Sequence, residues 1–121
     1  MNDSKREEMI SAIVVVGDRR DDLQSLAEGY WNALQTTGAD FELIFVVDGP
    51  KNDVIQILTD TREKGIGLKI VCLSRSFGES TALMGGFDIA QGETIVTLPA
   101  YHQVKADAIP GLIAKAREHD M

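Results

Sequence analysis

Cysteine is nearly missing from this chain: Cys72 is the single one in 121 residues, so no intramolecular disulfide can form. Set in the apolar run Leu68–Leu73, it reads as an inert buried thiol, and such sparing use of cysteine fits a reducing compartment. Positive charge is also short, with 12 Lys and Arg against 19 Asp and Glu and a net charge of −7. That balance argues against a nucleic-acid binder, whose phosphate contacts need clustered Lys and Arg, and against a basic patch for anionic membranes. Long apolar runs are absent too, and none approaches the roughly 18 residues of a membrane span. The opening stretch MNDSKREEMI lacks the apolar core of a secretory leader. A cytoplasmic chain with no membrane span is the expectation.

What remains is ordinary globular composition, 44% apolar and 26% charged, at a length suited to one domain with a core of its own. Four apolar, β-branched runs recur: Ala12–Val16, Phe41–Val47, Leu68–Leu73 and Thr94–Leu98. Runs without polar alternation read as strands covered on both faces, the mark of a parallel sheet. Helical periodicity fills the gaps. Asp21 or Asp22 can cap a helix to about Thr36, with Leu23, Leu26, Ala27, Tyr30 and Leu34 along one face. Asn52 or Asp53 can cap a second, Val54 to about Lys64, stopped by Gly65. A third spans Glu79–Ala90 with Ala82, Leu83, Gly86, Phe87 and Ala90 inward and Gly92 as its stop, and a fourth candidate spans Ala106–Glu118, with Pro110 in its first turns. The alternation predicts a three-layer, Rossmann-like open α/β fold with a mainly parallel sheet of about four strands. Residues 1–10 are expected to be a frayed or helical extension, and residues 11–121 the domain itself.

In such sheets ligands bind beyond the carboxyl ends of the strands. Those ends carry Gly17-Asp18-Arg19, Asp48-Gly49-Pro50, Ser74-Arg75-Ser76-Phe77-Gly78 and Pro99-Ala100-Tyr101-His102-Gln103. The first turn is no dinucleotide fingerprint, no phosphate-binding P-loop occurs, and no serine sits in a nucleophile elbow. A phospho-accepting receiver is excluded, because Ser74 and Arg75 stand where its Asp would be. Asp48 can bond a ligand or form an Asx turn in the DGP sequence. Arg75 can meet a phosphate or pair with a surface carboxylate. Gly78-Glu79 can offer helix N–H groups to an anion or simply open a helix. Gly85-Gly86 reads as close helix–sheet packing, and Tyr30 with Trp31 as helix packing.

The stretch LSRSFGESTALMGGFDIAQGETIVTL, Leu73–Leu98, resembles the family 2 glycosyltransferases of the dolichol-phosphate-mannose-synthase-like, undecaprenyl-linked type. Their run is a strand, L-S-R-N-F-G, a helix with A-L-x-x-G, then A-x-G-D and a strand. Arg75, Phe77, Gly78, Ala82, Leu83, Gly86, Ala90 and Gly92 fall in step with it. Upstream, FELIFVVDGPKNDVIQIL resembles the family strand ending in D-D-G-S, and the likeness runs in order over about residues 11–118. It implies the N-terminal half of a GT-A fold and transfer of a sugar from a nucleoside diphosphate donor, often to a polyprenyl phosphate. The nucleotide contacts it implies are Gly17, Asp18, Asp48, Gly49 and Arg75. The family's catalytic base and acceptor elements come from a later half, so this chain is expected to carry the donor-binding half alone.

The departures from the pattern carry as much meaning. The family's P-x-Y-N-E after the first strand is Val15-Val16-Gly17-Asp18-Arg19 here, and the first Asp of D-D-G-S is Val47. Its D-A-D is Pro99-Ala100-Tyr101. The resemblance implies Mg2+ or Mn2+, which needs hard anionic oxygens on the donor's diphosphate side. With both carboxylates replaced, Gln103 is left as a weak neutral ligand beside His102, and the metal is expected not to bind. The reading is a family 2 transferase with a degenerate metal motif and little activity alone. The rival reading is a non-catalytic oligomerisation or regulatory module on the same fold, a homo-oligomer through its uncovered edge and helix faces.

Overall fold

The apolar runs pair as one sheet whose neighbours are not neighbours in sequence. The structure, a computed structural model, describes residues 6–17, 22–100, 111, 113 and 114. Strands β1 (Arg6–Val16), β2 (Phe41–Val47), β3 (Lys69–Cys72) and β4 (Gly92–Leu98) form a sheet in the order β3-β2-β1-β4. Every pairing is parallel, with Val16 opposite Val47 and Val14 opposite Leu98. Helices α1 (Leu23–Gln35), α2 (Asn52–Glu63) and α3 (Glu79–Ile89) alternate with the strands.

Two apolar layers sandwich the sheet. Val14, Val16, Phe45 and Val47 pack with Leu23, Leu26, Tyr30, Val54 and Leu58, so α1 and α2 share one face. Ile13, Ile44 and Val46 pack with Ala82 and Ala90 on the other, so α3 covers that face. This is the open, Rossmann-like α/β arrangement that the sequence predicts.

Asp22 caps α1 as expected, its carboxylate accepting the N–H groups of Gln24 and Ser25, and the expected apolar stripe of α1 is buried. Trp31 meets the Phe41 ring edge-on, with centroids 4.8 Å apart.

Several boundaries differ from the expectations. Residues 6–10 are strand rather than a frayed or helical extension, because Ile10 pairs with both Phe41 and Thr94 and is fully buried. Helix α2 is not capped by Asn52 or Asp53; Lys51 holds the cap position without a side-chain bond to the helix N–H groups, and Asp53 sits in the first turn, where its charge favours the helix dipole. Cys72 is exposed, not buried, because its apolar run is the edge strand β3. Phe87 is 40% exposed, since α3 approaches the sheet through Ala82 and Gly86 and turns the Phe87 side outward.

Gly92 begins β4 instead of ending α3. A Cβ there would lie 2.6 Å from the Met9 carbonyl oxygen and 2.7 Å from Ser11 Oγ, so the close approach of β1 demands glycine. Of the fourth helix candidate, Gly111, Ile113 and Ala114 are helical, with Ile113 buried in the α1–α2 layer.

Candidate functional site

The strand order sets where a ligand can enter. At the carboxyl edge β1 leads into α1 on one face and β3 leads into α3 on the other, so the loops after these strands leave the sheet in opposite directions. Gly17, Asp48 and Pro99 stand at that edge, and Asp48 N–H donates to the Val16 carbonyl 3.0 Å away.

Asp48 is only 8% exposed, and its carboxylate turns toward the loop after β3. One oxygen accepts the Phe77 N–H at 2.8 Å and the other the Gly78 N–H at 3.1 Å. The Asp48 carbonyl accepts Ser76 Oγ–H and the Lys51 ammonium, each at 3.0 Å. Two loops some 30 residues apart in sequence are thus tied at one residue. Gly49 fits between them with φ of 115°, and a Cβ there would lie 2.6 Å from Ser76 Oγ.

Arg75 is exposed, and its guanidinium lies over the Phe77 ring, 4.9 Å from the centroid. Among the described residues it has no carboxylate partner. Lys51 was not legible as a site residue, and Ser76 and Phe77 were legible only as members of the strand-end loop, without their contacts to Asp48 and Arg75. The structure therefore brings Asp48, Gly49 and Arg75 into one assembly at the edge, with Gly17 just past the end of the adjoining strand β1. Around Gly17 a Cβ would meet nothing within 4 Å. Asp18 and Gln103 lie outside the described residues.

The metal implied by the resemblance finds no hard anionic oxygen at the start of its loop. The Pro99 carbonyl already accepts the Tyr30 hydroxyl at 2.8 Å, and Ala100 is buried against the apolar layer. Among the described residues no cluster of His, Cys, Asp and Glu could hold a metal ion. These two residues do not fit a divalent cation.

A second polar cluster lies at the opposite, amino end of the sheet. Glu42, 4% exposed, accepts the Gln91 N–H at 2.6 Å, the Lys69 ammonium at 2.7 Å and the Ser11 hydroxyl. Ser11 Oγ in turn accepts the Gly92 N–H at 2.8 Å. Burial pushes the Glu42 carboxyl up, but the Gln91, Lys69 and Ser11 donors together outweigh it and hold it below the usual glutamate range. With every donor internal, this cluster anchors the α3–β4 connection to the sheet.

Comparison with known proteins places the whole fold in a family. The glycosyl transferase family 2 model matches residues 11–121. The chain belongs to that family. An undecaprenyl-phosphate 4-deoxy-4-formamido-L-arabinose transferase of Klebsiella pneumoniae is 34% identical over 110 residues, covering 90% of this chain and 34% of the relative. Proteins of the same name from Enterobacter sp. and Edwardsiella ictaluri are 34% and 29% identical, with 90% and 96% of this chain covered and 34% and 36% of the relatives. The chain thus spans about one third of the length of these curated relatives. Among the described residues, no helix is long and apolar enough to cross a membrane.

Proposed function

We propose that this family 2 glycosyltransferase chain takes a nucleoside diphosphate sugar at the carboxyl edge of its sheet, as the donor-binding part of a sugar transfer to a polyprenyl phosphate. One observation carries the reading: the Asp48 tie holds the Arg75 loop at the edge beside Gly17 and Gly49. The open space beside Gly17 leaves backbone accessible to a ligand, Gly49 lets the two loops close on each other, and Arg75 supplies positive charge to the diphosphate. Asp18, next along the chain from Gly17, completes the proposed nucleotide contacts. Names of the relatives support an undecaprenyl phosphate as acceptor class.

Transfer by this chain alone is expected to be weak, because the D-A-D carboxylates are Pro99 and Tyr101 and the remaining Gln103 is a weak neutral ligand. The test is a thermal-shift titration with uridine and guanosine diphosphates and their sugars, with and without Mn2+. A ligand at about 100 times its Kd adds about 2.7 kcal/mol, several degrees for a chain of this size. A nucleotide-specific, metal-independent shift is expected, with metal dependence appearing in the double variant Pro99→Asp, Tyr101→Asp. The absence of any nucleotide shift would refute the donor-site reading. A Mn2+-dependent shift in the unaltered chain would refute the degeneracy.

A second reading has its own observation. Met84, Phe87 and Ile89 of α3 are 63%, 40% and 39% exposed, an apolar surface that favours a covering partner, including a second copy of the chain. Light scattering at high micromolar concentration decides it: a dimer or larger species supports self-association, and a monomer rejects it.

A further inference from the structure

We propose that Asp48 is a positioning residue for Arg75: its buried carboxylate sets the Ser76–Gly78 loop and, through the Phe77 ring, the place of the Arg75 guanidinium at the donor edge. The inference deepens the donor-site reading and rests on it for the identity of the ligand. In the family pattern Asp48 aligns with an acidic residue at the nucleotide, so a direct ligand contact is the obvious expectation. The geometry points elsewhere. The residue is 92% buried, and both carboxylate oxygens are engaged by loop N–H groups, of Phe77 at 2.8 Å and Gly78 at 3.1 Å.

The linkage continues without a gap. Phe77 receives its backbone position from Asp48, and its ring lies under the Arg75 guanidinium at 4.9 Å. Ser76 Oγ–H, between them in sequence, donates to the Asp48 carbonyl at 3.0 Å. Gly49 closes the assembly, since any side chain at that position would displace Ser76. A guanidinium held this way loses less freedom on meeting a diphosphate than one on a loose loop, and that saving appears as affinity. Gly78 also begins α3 with no side-chain cap of its own, so the Asp48 carboxylate supplies the acceptor that the helix start lacks.

The experiment is a double-variant cycle on the whole chain, reading uridine diphosphate affinity by calorimetry and loop geometry by NMR. Asp48→Asn keeps the side-chain size but turns an N–H2 group toward one of the loop N–H groups. It is expected to weaken uridine diphosphate binding about tenfold, the scale of one charge-assisted contact, and Arg75→Gln by at least as much. The double variant is expected to bind within about twofold of Arg75→Gln alone, because Asp48 acts through Arg75. Additive losses would overturn the proposal, since they would mean that Asp48 meets the ligand itself.

Loop geometry is read without any ligand. The Arg75 side-chain resonances, shifted by the Phe77 ring in the unaltered protein, are expected to move to free-arginine positions in Asp48→Asn, with faster exchange of the Phe77 and Gly78 amides. Unchanged resonances and exchange would overturn the proposal whether or not nucleotide binds. If the unaltered chain bound neither uridine nor guanosine diphosphate, the donor-site reading would fall, and the NMR arm would still decide the positioning. Should Asp48→Asn fail to fold, Phe77→Leu, at a residue 43% exposed, replaces it: loss of the ring is expected to weaken binding when Arg75 is present but no further in the Arg75→Gln background, and an additive loss there refutes the linkage.

Discussion

Two adjacent glycines in α3 should respond to the same substitution with opposite signs. A methyl group added at Gly86 would lie 2.7 Å from Ile13 Cγ2 and 3.3 Å from Val46 Cγ2, both on central strands. At Gly85 the nearest atom is Leu73 Cδ2, 4.0 Å away, an ordinary contact. Alanine in a helix interior is worth about 1 kcal/mol over glycine through backbone entropy, and that gain applies at both positions. At Gly86 it is opposed by overpacking of about 1–3 kcal/mol, because Ile13 branches at Cβ and cannot swing its Cγ2 methyl away without leaving its rotamer. Gly85→Ala is therefore expected to stabilise by about 0.5–1 kcal/mol and Gly86→Ala to destabilise by about 1 kcal/mol. At about 3–5 °C per kcal/mol for a chain of this length, the two melting temperatures should lie to either side of the parent and several degrees apart. Urea unfolding with an unchanged m value would confirm that the change is in stability alone. Equal shifts of one sign would refute the close approach of α3 to β1 and β2.

Glu42 governs acid stability. Its folded-state carboxyl sits below the ordinary value near 4.3, so its stabilising effect is complete above that value and is lost as pH falls through the depressed one. Glu42→Gln is expected to cost about 2 kcal/mol at neutral pH, by setting an amide N–H2 against the Lys69 and Gln91 donors, and to flatten the stability profile below the ordinary glutamate range. An acid limb as steep in Glu42→Gln as in the parent, by denaturant unfolding from pH 7 downward, would contradict it. Tyr30→Phe removes the hydroxyl that donates to the Pro99 carbonyl at 2.8 Å, for an expected loss of about 1 kcal/mol. Faster amide exchange after β4 should accompany the loss, and an unaltered melting temperature would show that this bond carries no net stability.

The site was legible in part. Asp48, Gly49 and Arg75 could be singled out because they stand at strand ends within a recognisable family pattern. Their mutual arrangement could not, since the Asp48–Phe77 bond closes over 29 residues and no periodicity encodes it. Sequence left Arg75 open between a phosphate and a surface carboxylate; its place over Phe77 was visible only when the loop was folded. Glu42 passed as one polar residue in FELIFVV, although a charge in a covered strand is itself a signal for a paired, buried group.

By itself the sequence determined the α/β alternation, the buried face of α1 with a cap at Asp21 or Asp22, and the family resemblance. These depend on spacings of a few residues, where helix and strand periods and capping chemistry act. Only the tertiary structure decided which run became an edge, and so why Cys72 is exposed while equally apolar Val14 and Val46 are sealed. It also decided that Gly86 and Gly92 are demanded by neighbouring strands and that Glu42 bonds to a turn 49 residues away. Strand order is set by how the layers close over both faces of the sheet at once. That closure is a property of the whole packed chain, and no local window of sequence contains it.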